Sequence, residues 1–265
     1  MNPLLHIAHA WGNPQGSVVV VLHGFLGTGE EWTAVFPVSS SYRFLAIDLP
    51  GHGGSTNLPL WAYTQEGMAY LLWKTLDALG ISSVSFVGYS MGGRVALSAS
   101  LQQPGRVNAL LLTSASFGIS SPTERLSRVQ RDRDWAAQIR THWNAFLHRW
   151  YRQPVFASLH KRPELLQRVI ALRSRQVPAE MARVVVCASP GRSPYLLPSL
   201  QKLPIPMGYI VGTEDKKYSA LGQRVHGYLP NVHLQLVRGA GHMVHLECPE
   251  EYYNWVCSLL NNMLQ

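Results

Sequence analysis

Six short apolar runs recur along the 265-residue chain, and helical stretches separate most of them. Val18-Val19-Val20-Val21-Leu22 ends at His23-Gly24-Phe25, and Phe44-Leu45-Ala46-Ile47 ends at Asp48-Leu49-Pro50-Gly51. Val84-Ser85-Phe86-Val87-Gly88, Ala109-Leu110-Leu111-Leu112, Met207-Gly208-Tyr209-Ile210-Val211 and Leu234-Gln235-Leu236-Val237 follow. Runs that are mostly apolar, without strict alternation, suit strands buried on both faces. Helices are expected over about Thr64–Leu79, stopping at Gly80, from Ser90 to about Gln102, after Lys217, and from Pro249 onward. Such alternation gives an α/β fold, a mostly parallel sheet with helices on both faces.

The alternation breaks between Ser120 and about Tyr195, where helical, tryptophan-bearing segments take over. This block is expected to be a helical, arginine-rich lid at 120–195, inserted in a core formed by 1–119 and 196–265. Over residues 122–195 there are thirteen arginines and one lysine against five acids, a local charge of +9. The rest of the chain carries −1, so the whole net charge of +8 comes from this segment. A basic segment suits nucleic acid, a membrane surface or a small anionic ligand. Arginine's planar fork matches carboxylates and phosphates, so its excess over lysine favours oxyanion recognition. Ligands of open α/β sheets bind at the carboxyl ends of the strands. A lid there turns its charge toward the site.

The composition is globular, with 46% hydrophobic and 14% charged residues. No apolar run reaches the roughly 18 residues that suggest a membrane span. The N-terminal stretch has no basic region before its short apolar segment, so no signal peptide is expected. Cys187, Cys248 and Cys257 match no metal or redox spacing and read as reduced thiols of a cytoplasmic protein. No internal repeat is present, and the oligomeric state is not legible.

Gly88-Tyr89-Ser90-Met91-Gly92 fits G-x-S-x-G between an expected strand and an expected helix. That context lets a sharp turn lift a serine hydroxyl into a site. The unpaired N–H groups at the helix start can stabilise an oxyanion. A reacting serine needs a base, and the base needs an orienting acid. Asp215 and His242 follow the last two strands in the required order, with Glu214 and His245 as rivals for their roles. Asp48 precedes the serine and lies in a turn, so it reads as a brace. Arg94 is one helical turn from Ser90 on the same face, where it either binds an anion or pairs with a core carboxylate.

"LHGFLG", "DLPGHGGS", "GYSMGG", "VGTED" and "GAGH" occur in order and resemble the α/β-hydrolase fold family over nearly the whole chain. The resemblance implies an oxyanion hole from the N–H groups of Phe25 and Met91, with His23 holding the loop. "GYSMGGR", "QRDRDW", "WYRQPVFASL" and "ALRS" are similar to one branch, the 2-succinyl-6-hydroxy-2,4-cyclohexadiene-1-carboxylate synthases of menaquinone and phylloquinone biosynthesis. That branch implies a lyase that eliminates pyruvate from a tricarboxylate, with Ser90, Asp215 and His242 as catalytic triad. It implies carboxylate binding by Arg94, Arg128 and Arg173, and a pocket lined by Tyr89, Trp150 and Tyr151. The arginine register around "SRVQRDRDW" leaves Arg125 and Arg131 as alternatives to Arg128. Neither a metal nor an organic cofactor is implied, and the partner is a small molecule, not nucleic acid. The fold alone does not fix the reaction, so hydrolysis of an anionic ester, or of a carbon–carbon bond in a vinylogous ketone, stays open.

Overall fold

The computed structural model describes residues 3–38, 40–229 and 231–263. The outermost ends of the expected core, residues 1–2 and 264–265, lie outside that range. Strands β1 (Ile7–Gly12), β2 (Val18–Leu22), β3 (Arg43–Ile47), β4 (Val84–Tyr89), β5 (Val107–Thr113), β6 (Met207–Gly212) and β7 (Val232–Val237) form one sheet in the order β1-β3-β2-β4-β5-β6-β7. Only β1 runs antiparallel to its neighbour. Helices α1 (Gln65–Ala78), α2 (Met91–Gln102), α3 (Pro122–Thr141), α4 (Trp143–Tyr151), α5 (Pro163–Arg173), α6 (Pro178–Cys187), α7 (Lys216–Tyr228), α8 (Val244–Glu247) and α9 (Pro249–Met263) complete the regular structure, with several 3-10 turns.

The all-apolar strand runs are explained by two cores. Side chains alternate across a strand. Val20 and Leu22 therefore join Leu45, Ile47 and Phe86 on one face. Val19 and Val21 join Phe44, Ala46 and Val87 on the other. α1 and α2 cover the first face, and α9 covers the second. α1 starts where Thr64 Oγ1 accepts the Gly67 N–H at 3.0 Å, and α3 starts where Ser121 Oγ accepts the Glu124 N–H at 3.3 Å. These are side-chain caps on otherwise orphaned helix donors.

β1 differs from the sequence expectation, which placed no strand there. Its residues, Ile-Ala-His-Ala-Trp-Gly, contain no β-branched run, because an edge strand with intermediate and exposed positions needs none. A register shift between Ile7 and His9 further weakens the pattern. β7 also begins two residues before the apolar stretch suggests.

α3 to α6 stand in the chain between β5 and β6, and α3 packs on α6. None of the described helices is long and apolar enough to cross a membrane. β2 has β3 on one side and β4 on the other, so the chain reverses its order of strand addition there. A crevice opens at the carboxyl ends of strands at such a switch point. His23-Gly24-Phe25 and Ser90 both lie there, just past β2 and β4.

Candidate active site

Ser90 follows β4 with φ 52° and ψ −107°, a left-handed backbone that a non-glycine residue adopts at a cost. The turn is held from two sides. The Ser90 N–H donates to the Thr113 carbonyl at 2.9 Å, at the end of β5. α2 then passes so close to β2 that a Cβ on Gly92 would sit 2.4 Å from the Leu22 carbonyl oxygen. Only glycine permits that approach, which is why the residue two after the serine lacks a side chain.

Asp215 and His242 follow β6 and β7 at the same sheet edge. His242 Nδ1 lies 2.6 Å from Asp215 Oδ2, and His242 Nε2 lies 3.3 Å from Ser90 Oγ. Asp215 Oδ1 accepts the Tyr218 N–H at 3.1 Å, so the first turn of α7 fixes the carboxylate. Both Asp215 and His242 are buried. The rival residues are elsewhere. Glu214 takes Lys161 Nζ at 2.9 Å on each of its oxygens. His245 is wholly buried between the rings of Trp32 and Tyr89, with its Nε2 3.4 Å from Glu31 Oε1.

The loop after β2 carries Phe25. His23 Nε2 accepts the Leu49 N–H at 3.0 Å, which leaves Nδ1 as the donor to the Gly24 carbonyl at 2.8 Å. His52 Nε2 accepts the Leu26 N–H at 3.1 Å. Gln176 Nε2 donates to the carbonyls of Leu26 and Gly27. Asp48 braces the same region by accepting the N–H groups of Gly29 at 2.8 Å and Gly54 at 2.9 Å. Among the described residues no hydrogen bond engages the N–H of Phe25 or of Met91. Two donors beside Ser90 are thus free for a developing oxyanion.

His23, His52 and His245 are buried, and burial pushes each below the ordinary histidine value of 6.5. A depressed folded-state value means that the unfolded chain binds more protons below pH 6.5, so stability is lost as pH falls through that range. Each such histidine adds to the loss as pH falls below its unfolded-state value. Urea unfolding midpoints measured between pH 7.5 and pH 5.5 should fall steeply below about pH 6.5. A flat profile would show that these rings are not held neutral.

A cavity of about 580 Å³ opens above Ser90. Phe25, Tyr89, Met91, Trp150, Tyr151 and His242 line it, together with Arg94, Arg128, Arg131 and Arg173. Trp150 packs edge-on against Phe25 at 5.1 Å and Trp135 at 4.9 Å. The Tyr89 ring lies 5.3 Å from His242 and 4.4 Å from His245. The arginines differ in what already holds them. Arg94, 8% exposed, donates to Gln65 Oε1 and to the Ala188 carbonyl at 3.1 Å, and no described carboxylate pairs with it. Burial, then the nearby Arg128, holds its guanidinium down at about 10. The core carboxylate that the sequence left open for it is not there.

Arg128 is gripped at Nε by both oxygens of the buried Asp132, at 2.8 and 2.9 Å. Of its two alternatives, Arg131 lines the cavity and sits 5.2 Å from the Trp135 ring. Arg125 instead donates to the Gly191 carbonyl at 3.1 Å. Arg173 is buried and paired with Glu31 through Nη2, and its Nε lies 3.4 Å from the Tyr151 hydroxyl. Burial alone would raise the Glu31 carboxyl, but Arg173, His245 and His23 outweigh it and hold it at about 2. Glu31 and Gln176 were not singled out from the sequence. No group of three or more metal-binding side chains is assembled among the described residues.

Residues 19–255 match the model of the alpha/beta hydrolase family. The chain belongs to that family. Within it, the chain is 35% identical over 247 residues to a 2-succinyl-6-hydroxy-2,4-cyclohexadiene-1-carboxylate synthase of Salmonella agona (strain SL483), covering 93% of this chain and 94% of the relative. A synthase of the same name from Yersinia pseudotuberculosis serotype O:3 (strain YPIII) is 34% identical over 251 residues, covering 93% of this chain and 88% of the relative. Among solved structures, MenH from S. aureus superposes with a TM-score of 0.89 at 27% identity, covering 98% of this chain and all of that one. A thermophilic esterase from Thermogutta terrifontis with malate bound superposes with a TM-score of 0.84 at 22% identity, covering 98% of this chain and 95% of that one, and speaks to fold alone.

Proposed function

We propose that this chain is a 2-succinyl-6-hydroxy-2,4-cyclohexadiene-1-carboxylate synthase, a lyase of menaquinone or phylloquinone biosynthesis. The observation that carries the reading is Arg94, a cation buried one turn from Ser90 with only neutral acceptors. A buried charge without a counter-ion is costly, and an anionic substrate is the partner that offsets the cost. Curated relatives that carry this name match 93% of the chain. In this reading residues 120–195 act as a lid over a core of 1–119 and 196–265, and the enzyme works in the cytoplasm without a cofactor.

The substrate is 5-enolpyruvoyl-6-hydroxy-2-succinyl-cyclohex-3-ene-1-carboxylate, with three carboxylates. Arg94 and Arg128 receive two of them, and Arg173 presents its remaining donors beside Tyr151. Tyr89, Trp150 and Tyr151 shape the walls. Ser90 Oγ removes the proton from the ring carbon that bears the succinyl ketone, while its own proton passes to His242 Nε2. Asp215 holds the ring and stabilises the imidazolium that results. The N–H groups of Phe25 and Met91 stabilise charge on the ketone oxygen, each contributing roughly 3–4 kcal/mol. The extended enolate then expels the enolpyruvyl oxygen across the ring double bond. His242 returns a proton to the leaving group, which tautomerises to pyruvate. Pyruvate release from this substrate, followed with a coupled reductase, tests the reading. Robust turnover of simple esters with no pyruvate would overturn it in favour of a hydrolase.

Arg94→Met separates capture from folding. Removing the buried cation lifts its desolvation cost. Leaving Gln65 and the Ala188 carbonyl without their donor costs about 1–3 kcal/mol each. The two effects oppose each other, so the melting temperature should move less than for loss of a buried ion-paired arginine, while KM rises at least about tenfold through the lost carboxylate contact. A variant with normal KM would remove Arg94 from the substrate site.

A further inference from the structure

His242 sits on a loop between β7 and α8, with no strand or helix of its own to fix it. One side chain binds the backbone on both sides of it. Glu247 Oε2 accepts the Gly241 N–H at 2.9 Å, and Oε1 accepts the Met243 N–H at 3.1 Å. Glu247 is 7% exposed, and no described cation forms an ion pair with its carboxylate. A buried carboxylate needs strong donors, and charge-assisted bonds from two N–H groups supply them. The short α8 brings Glu247 back under the loop, since the Glu247 N–H donates to the Met243 carbonyl at 2.9 Å.

A second grip comes from the inserted segment. Arg162 donates to the Glu247 carbonyl, and through Nη2 to the Gly239 carbonyl at 3.0 Å. Ser158 presses on the loop so closely that a Cβ on Gly241 would fall 1.9 Å from its Oγ. The loop is thus clamped at its start, its end and directly around His242.

We infer that Glu247 is a positioning residue for His242, whose carboxylate clamps the two peptide N–H groups flanking the ring so that Nε2 faces Ser90 and Nδ1 faces Asp215. This rests on the proposed roles of Ser90, Asp215 and His242. Glu247 makes no hydrogen bond to the ring and does not line the cavity. It acts by fixing the backbone from which the ring projects, and an error of about an ångström there can cost roughly a hundredfold in rate.

Glu247→Gln tests it. The amide keeps the shape but turns one of the two acceptors into a donor, which meets an N–H group. The expected result is a kcat lower by roughly a hundredfold with KM near the wild-type value. The far-downfield proton resonance of the His242 Nδ1–Asp215 hydrogen bond should broaden or move upfield. Glu247→Asp keeps two acceptors on a shorter arm and should recover part of both readouts. A folded Glu247→Gln protein with wild-type kcat and an unmoved resonance would overturn the inference. So would a lower rate explained wholly by lost folded protein, with the resonance intact in what remains folded. If Ser90→Ala abolishes turnover while Glu247→Gln does not slow it, this inference alone fails. If Ser90→Ala turns over normally, the role of Ser90 fails first, and the His242 resonance still decides whether Glu247 holds the ring.

Discussion

Ser90→Ala is expected to lower kcat for pyruvate elimination by about 10³-fold or more, with substrate affinity nearly unchanged. The argument starts from geometry. Ser90 Oγ stands 3.3 Å from His242 Nε2, a little beyond an ideal hydrogen bond. Catalytic contacts of this kind tighten when substrate binds. His242 is held by a 2.6 Å contact to a carboxylate that is itself fixed by the Tyr218 N–H. The serine is therefore the group free to meet a ring proton, and its methylene alone cannot accept one. In the proposed reading the carboxylates meet arginines that this substitution does not touch, so binding measured by titration should persist. A variant that releases pyruvate at near the wild-type rate would put the base on His242 instead. Mass spectrometry of the wild-type protein during turnover separates elimination from hydrolysis, because a hydrolytic Ser90 passes through a covalent acyl-enzyme, whereas a base forms none.

Much of the architecture was legible because local rules and global fold agree. The G-x-S-x-G turn lies between a strand and a helix in sequence and in space, and Gly92 is required by a backbone contact to Leu22. Asp215 and His242 could be placed because residues just past parallel strands all reach one edge. What was not legible depends on pairings between remote segments. Nothing local distinguishes the exposed Glu30 from the buried Glu31, yet Glu31 meets Arg173, 142 residues away. The edge strand β1 lacked an apolar run because solvent covers part of it. The arginine register of α3 needed the helix itself, which places Asp132 one turn after Arg128 and leaves Arg131 on the cavity.

That remote pair carries the second large effect. From its place in the family pattern Arg173 reads as a carboxylate ligand, and its replacement would then chiefly weaken capture. The structure gives it a partner already, so the first consequence of Arg173→Ala should be instability. Glu31 is 5% exposed and would lose the cation that holds its carboxyl at about 2. Its remaining ionisable neighbours are His245, 3.4 Å away, and His23, and burial opposes the protonation of both. Breaking one side of a buried ion pair costs about 3–5 kcal/mol, because the other charge stays behind. Urea unfolding of Arg173→Ala should show that loss. Replacing both partners, as Arg173→Met with Glu31→Gln, removes the stranded charge and should restore most of the stability. The double variant should still bind substrate poorly if Arg173 also meets a carboxylate, since the cavity then keeps one cation fewer. Full stability in Arg173→Ala would mean that Glu31 is satisfied without it. Normal binding in the double variant would confine Arg173 to a structural role.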